Sequence, residues 1–232
     1  MEIRVDSLLR GAGEAEGTVV IVDVLRAFTT AAVALARGAA KIILVASTGE
    51  ALDLRRGGIG ELCVGEVHGR RPDGFDFGNS PFELSTADVA GRTLIHSTTA
   101  GTVGVTAARR ATTILAASLV NAAATAHVIL RDRPALVTIV AMGAQADTRA
   151  DEDELCALYL RNLLQGRQPD RDAIRSLVLA SAESQNYDDP SRPQFDPRDR
   201  EIALQIDSIP LAIRVQRESD LLVARAELVS GP

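Results

Sequence analysis

The chain has 232 residues, 46% of them hydrophobic and only 3% aromatic, with a formal net charge of −6. That suffices for the core of one large domain and is too apolar for intrinsic disorder, while no apolar run reaches the roughly 18–20 residues of a membrane helix. The acidic balance argues against a nucleic-acid surface, so an anionic ligand needs a local cluster of arginines or backbone N–H groups to override the global field.

The N-terminal stretch MEIRVDSLLRGAGEAEG is mixed in charge and lacks the apolar core of a secretion signal. Thr18–Val24 (TVVIVDV) is a continuous β-branched run, the pattern of a strand buried on both faces. The Ala-rich LRAFTTAAVALARGA that follows ends in Arg37-Gly38 and reads as a helix with a glycine stop, and Lys41–Ala46 is the next buried strand. A related unit comes later: a strand at Thr93–His96, a helix through TTAGTVGVTAARRA, and a strand at Thr113–Ala117. Thr29-Thr30-Ala31 matches Thr98-Thr99-Ala100 with a small shift, a weak internal repeat. A third unit has a strand at Ala135–Ala141, a loop with Gly143 and a helix at Asp151–Gln165. Asp188–Arg200 (DDPSRPQFDPRDR) is polar and Pro-rich, and reads as a surface loop. Ile213–Glu218 and Leu222–Leu228 read as strands pairing antiparallel at a sheet edge. No linker divides the chain. The expected architecture is a single α/β domain over residues 1–232: three α/β/α layers around a mixed, mostly parallel sheet built from repeated strand–helix–strand units.

Two cysteines, Cys63 and Cys156, stand without metal-type spacing, as in a reducing cytoplasm. Three histidines, His68, His96 and His127, are scattered without zinc spacing. There is no GxGxxG, no GxxxxGK[ST] and no GxSxG elbow. Ligands of open α/β sheets gather beyond the carboxyl ends of strands, where helix N-termini converge. Asp23 ends an apolar strand there, and reads either as a helix cap or as a site acid. Arg26 reads as an anion clamp or as one half of an ion pair, with Arg70 or Arg71 as the clamp in the second case. Ser97–Thr102 offers hydroxyls and a glycine at a helix start, suited to phosphate or sulfonate and equally to ordinary capping. Glu152 and Asp153 suit a helix N-terminus or, with Asp23 and Glu66, a hard cation such as Mg²⁺. In residues 65–84, GEVHGRRPDGFDFGNSPFEL, three of the chain's five Phe (Phe75, Phe77 and Phe82) fall in a segment unsuited to helix or strand. They read as anchors of a long loop that walls a site.

The stretches DVLRAFTTA, GEVHGRRPDGFDFGNSPFE, STTAGT, LVNA and AMGAQADTRADEDELCA occur in the order and spacing of the 2-phosphosulfolactate phosphatases, which the chain resembles from about residue 18 to 160. The resemblance implies a three-layer α/β/α fold and a Mg²⁺-dependent phosphoric monoester hydrolase that converts (R)-2-phospho-3-sulfolactate to 3-sulfolactate on a route to coenzyme M. It implies a catalytic set of Asp23, Arg26, Glu66 and Asp153, with Asp23, Glu66 and Asp153 holding the metal. The substrate-binding set it implies is Thr29, Thr30, Asn79, Ser80, Thr98, Thr99, Gly101 and Thr102, with Asp76, Gly78, Asn121 and Glu152 among the matched positions. The partner is then a small anionic phospho-acid, with no nucleic acid or membrane, in a cytoplasmic protein open to homo-oligomerisation. One departure stands out: the family reads Thr-Thr-Asn-Gly-Thr where this chain has Ala100. That loss favours an alternative, a non-enzymatic anion-binding domain on the same fold. No Asp-x-Asp follows the first strand, so the aspartyl-phosphate route of haloacid dehalogenases is not implied.

Overall fold

The computed structural model describes residues 1–229, which build one nine-stranded sheet with helices on both faces. The chain begins with β1 (Glu2–Ser7), α1 (Leu8–Glu14), β2 (Gly17–Val22), α2 (Ala27–Ala36) and β3 (Lys41–Val45). It continues through α3 (Thr48–Arg56), β4 (Leu62–Gly65), α4 (Pro81–Thr86), β5 (Thr93–Ser97), α5 (Gly101–Ala107) and β6 (Ala111–Ala117). Then come α6 (Ala122–Asp132), β7 (Leu136–Ala141), α7 (Asp151–Leu164), α8 (Arg171–Leu179), α9 (Ala182–Gln185) and α10 (Pro197–Ala203). The hairpin β8 (Leu211–Glu218) and β9 (Leu221–Leu228) closes the order.

Across the sheet the strands run β1-β7-β2-β6-β8-β9-β3-β5-β4. Pairing is parallel through β1, β7, β2 and β6, and again through β3, β5 and β4. It is antiparallel at β6–β8, β8–β9 and β9–β3. Three antiparallel steps in a row reverse the strand sense, so two parallel blocks of opposite direction flank a central hairpin. The expected hairpin is therefore real, but it lies at the middle of the sheet and not at an edge. The charges on these strands are held in ion pairs, Arg214 with Glu227 and Asp132, while Ala212, Ile213, Val223 and Ala224 are buried. The true edge beside β7 is β1, a strand not anticipated in the mixed N-terminal stretch. Its burial alternates along Glu2-Ile3-Arg4-Val5, as an edge strand's does.

Successive residues of a strand point to opposite faces. In β2, Val19 and Ile21 pack into the core under α1, α2 and α5, while Val20 and Val22 pack against α6 and α7. Both faces being covered, every position is apolar. The same division places Ile42 and Leu44 of β3 under α2, and Ile43 and Val45 toward α3. Helix α2 is buried along almost its whole length, from Ala27 to Leu35. A helix enclosed on all sides is apolar all round, and small Ala side chains let the sheet and α4 approach it. Its Ala-rich surface is thus spent inside the protomer.

The two related units cross the hairpin in opposite senses. β2–α2–β3 carries the chain from the first block to the second, and β5–α5–β6 carries it back. With a twist of roughly 20–25° per strand, the four steps from β2 to β3 turn the blocks by roughly 90°. The carboxyl ends of both blocks meet at the N-termini of the crossing helices. Gly65, the last residue of β4, sits at that junction with φ +152, and a Cβ there would lie 1.9 Å from the Ser97 carbonyl oxygen. Only glycine lets β4 leave the sheet so close to β5. Gly65→Ala is expected to destabilise the fold by about 3 kcal/mol or more, read as a lowered urea midpoint with an unchanged m-value.

Candidate active site

Three carboxylates stitch the strand ends together. Asp153, in the first turn of α7, accepts from Val24 N (2.7 Å) with Oδ1 and from Gly143 N (2.8 Å) with Oδ2, tying the exit of β2 to that of β7. Glu66, just past β4, accepts from Thr99 N and Thr99 Oγ1 (both 2.8 Å) with Oε1, and from Gly69 N (2.6 Å) with Oε2. Asp23, just past β2, accepts from Ala27 N (2.8 Å) at the start of α2. It also lies against the start of α5, where a Cβ on Gly101 would come within 2.8 Å of its Oδ2. Gly101 is therefore required for the close approach of α5 to Asp23.

Arg26 follows on the same turn, where the Leu25–Arg26 peptide is cis. Its side chain is buried, with Nη1 donating to Asp199 Oδ2 (2.7 Å) and to the Gln194 carbonyl (2.9 Å), and Nη2 donating to the Gly69 carbonyl (3.2 Å). The guanidinium carbon lies 5.3 Å from the Phe195 ring centre and 6.0 Å from that of Tyr187. Arg26 thus joins three segments: the turn after β2, the loop after β4, and residues 186–199. Residues 188–193, 197 and 198 of that last segment are exposed, as expected of a polar surface loop, but its two ends are anchored inward. Tyr187 and Asp199 are both buried, because Asp199 is needed to neutralise Arg26 and the two rings flank the guanidinium.

Under this segment lies a cavity of about 530 Å³. Asp23, Arg26, Glu66, Asn79, Thr99 and Ala100 line it from the predicted set and its departure. Gly143, Ala144 and Gln145 line it from the loop after β7, and Asn186, Ser191, Arg192, Gln194 and Phe195 form its roof. Burial holds His96 well down, at about 4, so the ring is neutral at physiological pH. Its Nε2 lies 3.2 Å from Asn79 Oδ1, an assignment that makes the ring the donor and leaves the Asn79 N–H₂ free to donate. Arg70 lines the cavity with no side-chain partner among the described residues. The local cations at the wall are Arg70 and Arg192, the latter also bonded to Asn186 Oδ1 (2.6 Å) and paired with Asp189 (3.6 Å), while Arg26 is committed to Asp199.

Other predicted residues stand behind the wall. Thr29 Oγ1 donates to the Val24 carbonyl (2.7 Å), and Thr30 Oγ1 is buried without a partner. Ser80 Oγ donates to Asp199 Oδ1 (2.6 Å) and accepts from Glu83 N, capping α4. Thr98 and Thr102 bond each other, with Thr98 N donating to Thr102 Oγ1 (2.8 Å) and Thr102 N to Thr98 Oγ1 (3.2 Å), which sets the turn into α5. Asn121 closes the turn before α6 and Asp76 binds Cys63 N and Arg55; neither lines the cavity. Asp153 and Glu152 also stand off the lining. The three anchoring rings behave alike. Phe75 packs with α3, Phe77 packs against the α2 core, and Phe82 lies 3.6 Å beneath the Arg198 guanidinium. The residues missed from sequence are those of the roof. The signal was present, since Tyr187 and Phe195 are aromatics in a polar stretch, as the three anchoring Phe are.

The acids here are held above their usual range. Burial is the main cause for Asp23, pushed up to about 6, with Glu66 adding to it against the Ala27 and Gly101 N–H groups. Burial pushes Glu152 up to about 7, with Glu183, Asp23 and Asp151 adding to it. Asp153 stands well above the carboxylate range, from burial first and then from Asp23 and Glu152. An acid raised in the folded state holds its proton more tightly there than in the unfolded chain. Its contribution to stability is full below the unfolded value near ~4 and is lost as pH rises through the folded values of about 6 and about 7. Glu152→Gln removes one such loss. In chelator it is expected to stabilise the protein at pH 8 by about 1–3 kcal/mol, and to flatten the curve of unfolding free energy against pH between about 4 and 7.

The chain matches the 2-phosphosulpholactate phosphatase family over residues 5–193. It is 42% identical over 147 residues to a Carboxydothermus hydrogenoformans protein named "Probable 2-phosphosulfolactate phosphatase", covering 63% of this chain and 60% of the relative. A Deinococcus radiodurans protein of the same name is 40% identical over 133 residues, 57% of this chain and 55% of the relative. One from Gloeobacter violaceus is 39% identical over 170 residues, 71% of each. The match to the first two relatives thus spans less than two thirds of their length, while the family match over residues 5–193 includes the ends of β2, β4, β5 and β7 that converge on the cavity. By that match, this chain belongs to the 2-phosphosulpholactate phosphatase family.

Proposed function

We propose that the chain is a phosphoric monoester hydrolase acting on a small phosphorylated acid, (R)-2-phospho-3-sulfolactate before others, with 3-sulfolactate and phosphate as products. The observation that carries this reading is the roofed cavity, walled by the carboxylates Asp23 and Glu66 and by Arg70 and Arg192, in a chain of this family. Its volume of about 530 Å³ accommodates a small polyanion of this kind.

Mg²⁺ belongs to this reading, and the donor set fits it in kind. Asp23, Glu152 and Asp153 are raised by burial and by neighbouring carboxylates, Glu66 among those acting on Asp23, and Glu152 Oε2 is buried without a partner. No three ligand-type side chains converge on one point among the described residues. Mg²⁺ needs no such cage, since it takes one or two carboxylates and fills the rest of its octahedron with water and phosphate oxygens. Asp23 and Glu66, at the cavity wall, are the residues that would hold it, with Asp153 behind them fixing the strand ends. When bound, the ion supplies charge neutralisation for the phosphoryl oxygens.

The chain's own groups do the rest. Arg70 and Arg192 attract and hold the phosphate and the second acid group, and their forked donors match tetrahedral oxyanions. Asn79 donates from its free amide nitrogen. Thr99, whose hydroxyl proton is taken by Glu66, keeps its lone pairs for water or for the hydroxyl of the 3-sulfolactate product. Two buried thiols, Cys63 and Cys156, support a cytoplasmic location. A non-enzymatic anion-binding domain is the second reading, favoured by Ala100 at the wall where the family has Asn.

Phosphate release from 2-phosphosulfolactate and a panel of small phospho-acids separates the two. EDTA is expected to abolish release and Mg²⁺ to restore it; full turnover in chelator removes the metal from the reading, and binding without turnover selects the second one. Arg70→Ala is expected to raise KM by about tenfold or more, with kcat and thermal midpoint little changed because Arg70 is exposed and unpaired.

A further inference from the structure

The family match ends at residue 193, yet three consecutive residues beyond it hold the cavity together. Asp199 is fully buried and both of its oxygens are used. Oδ1 accepts from Ser80 Oγ (2.6 Å) and Phe82 N (3.0 Å), on the loop after β4, and Oδ2 accepts from Arg26. Arg198 stacks on the ring of Phe82 at 3.6 Å. Arg200 donates to Asp188 Oδ2 (2.6 Å) and Oδ1 (2.7 Å) and to the Ser184 carbonyl (2.9 Å), at the far end of the roof. Arg198-Asp199-Arg200 therefore grips the loop after β4, the turn after β2 and the start of the roof. Between these grips lie Ser191, Arg192, Gln194 and Phe195, all at the cavity wall, and Gln194 Oε1 is buried without a partner.

We propose that Asp199 is a positioning residue: acting through Arg26 and Ser80, it seats residues 186–195 as the roof of the site and so determines the affinity for the anionic substrate. With Asp199 in place, Arg26 is neutralised and its Nη1 holds the Gln194 carbonyl down, keeping Arg192 at the wall. Without that charge, Arg26 is a buried cation that has lost its hydrogen-bonded counter-ion and keeps only the longer-range attraction of Glu66. The chain relieves that by letting water in, which lifts the roof and takes Arg192 away from the ligand. The kinetic part of this proposal rests on the hydrolase reading above; the structural part does not.

The test uses the full chain with Asp199→Asn, which keeps the shape and the bonds from Ser80 and Phe82 N, and with Arg200→Gln, which loosens only the far end of the roof. Chymotrypsin cutting at Tyr187 and Phe195 reads roof opening, since cleavage follows the population of the open form. Both variants are expected to be cut at least about tenfold faster than wild type, and Asp199→Asn to raise KM for 2-phosphosulfolactate by about tenfold or more with kcat within about threefold. A residue that merely supported the fold would lower the thermal midpoint and leave KM unchanged. Folded Asp199→Asn with wild-type cleavage, or with faster cleavage and wild-type KM, overturns the proposal. If that variant does not fold, Arg200→Gln decides by the same two readings. If the wild type releases no phosphate, the hydrolase reading fails by itself, and the roof is judged from the cleavage rates and from inorganic phosphate affinity by calorimetry.

Discussion

A carboxylate withdrawn from water must be given donors, and in this protein the donors are the backbone N–H groups left open where strands end. Asp153 takes two of them, from the exits of β2 and β7. Glu66 takes those of Gly69 and Thr99 beyond β4 and β5. Asp23 takes one at the start of α2 and packs against the start of α5. Leaving such a group unpaired costs several kcal/mol, so each acid fixes the segments that leave neighbouring strand ends. The two parallel blocks are already joined through the β8–β9 hairpin; their strand exits come together where Asp23 meets the start of α5, and the cavity lies there.

The same demand explains the buried ion pair. Arg26 is surrounded by carbonyls, rings and one carboxylate, which a planar guanidinium satisfies with bonds in three directions and a Lys ammonium does not. Buried pairs add little net stability over apolar residues of similar size, but they specify which groups must meet. Here the specification reaches far along the chain, since residue 26 can be neutralised only after residue 199 has arrived. The roof cannot close before the C-terminal helices are in place, and a polar, Pro-rich segment becomes part of an enclosed wall.

Gathering acids in this way carries a cost. Asp23, Glu152 and Asp153 all stand above the usual carboxylate range, from burial first and from one another second. Of the three only Asp23 lines the cavity, and a raised carboxyl group in a concave site is the kind that charge chemistry uses.

Much of this was legible in the residues. The β-branched runs at Thr18, Lys41, Thr93 and Ala135 and the Ala-rich helix between the first two are local patterns, and the structure keeps each within a residue or two. Asp23, Glu66, Asn79 and Thr99, named from sequence, meet at one cavity because they follow strands whose ends converge. Other features depended on contacts that no local pattern encodes. β1 was unread and the β8–β9 hairpin was assigned to an edge, because burial of a strand is decided by its neighbours and not by its own polarity. Arg26 carries the same side chain whether it grips a ligand or Asp199; only the arrival of a carboxylate from residue 199 decides which. The sequence by itself determined which segments become strands and helices and which acids end the strands, since those depend on periodicity along the chain. The tertiary structure alone decided which charge meets which, and that a polar C-terminal stretch becomes a roof, because the electrostatic cost of a buried group is set by whatever lies around it in space.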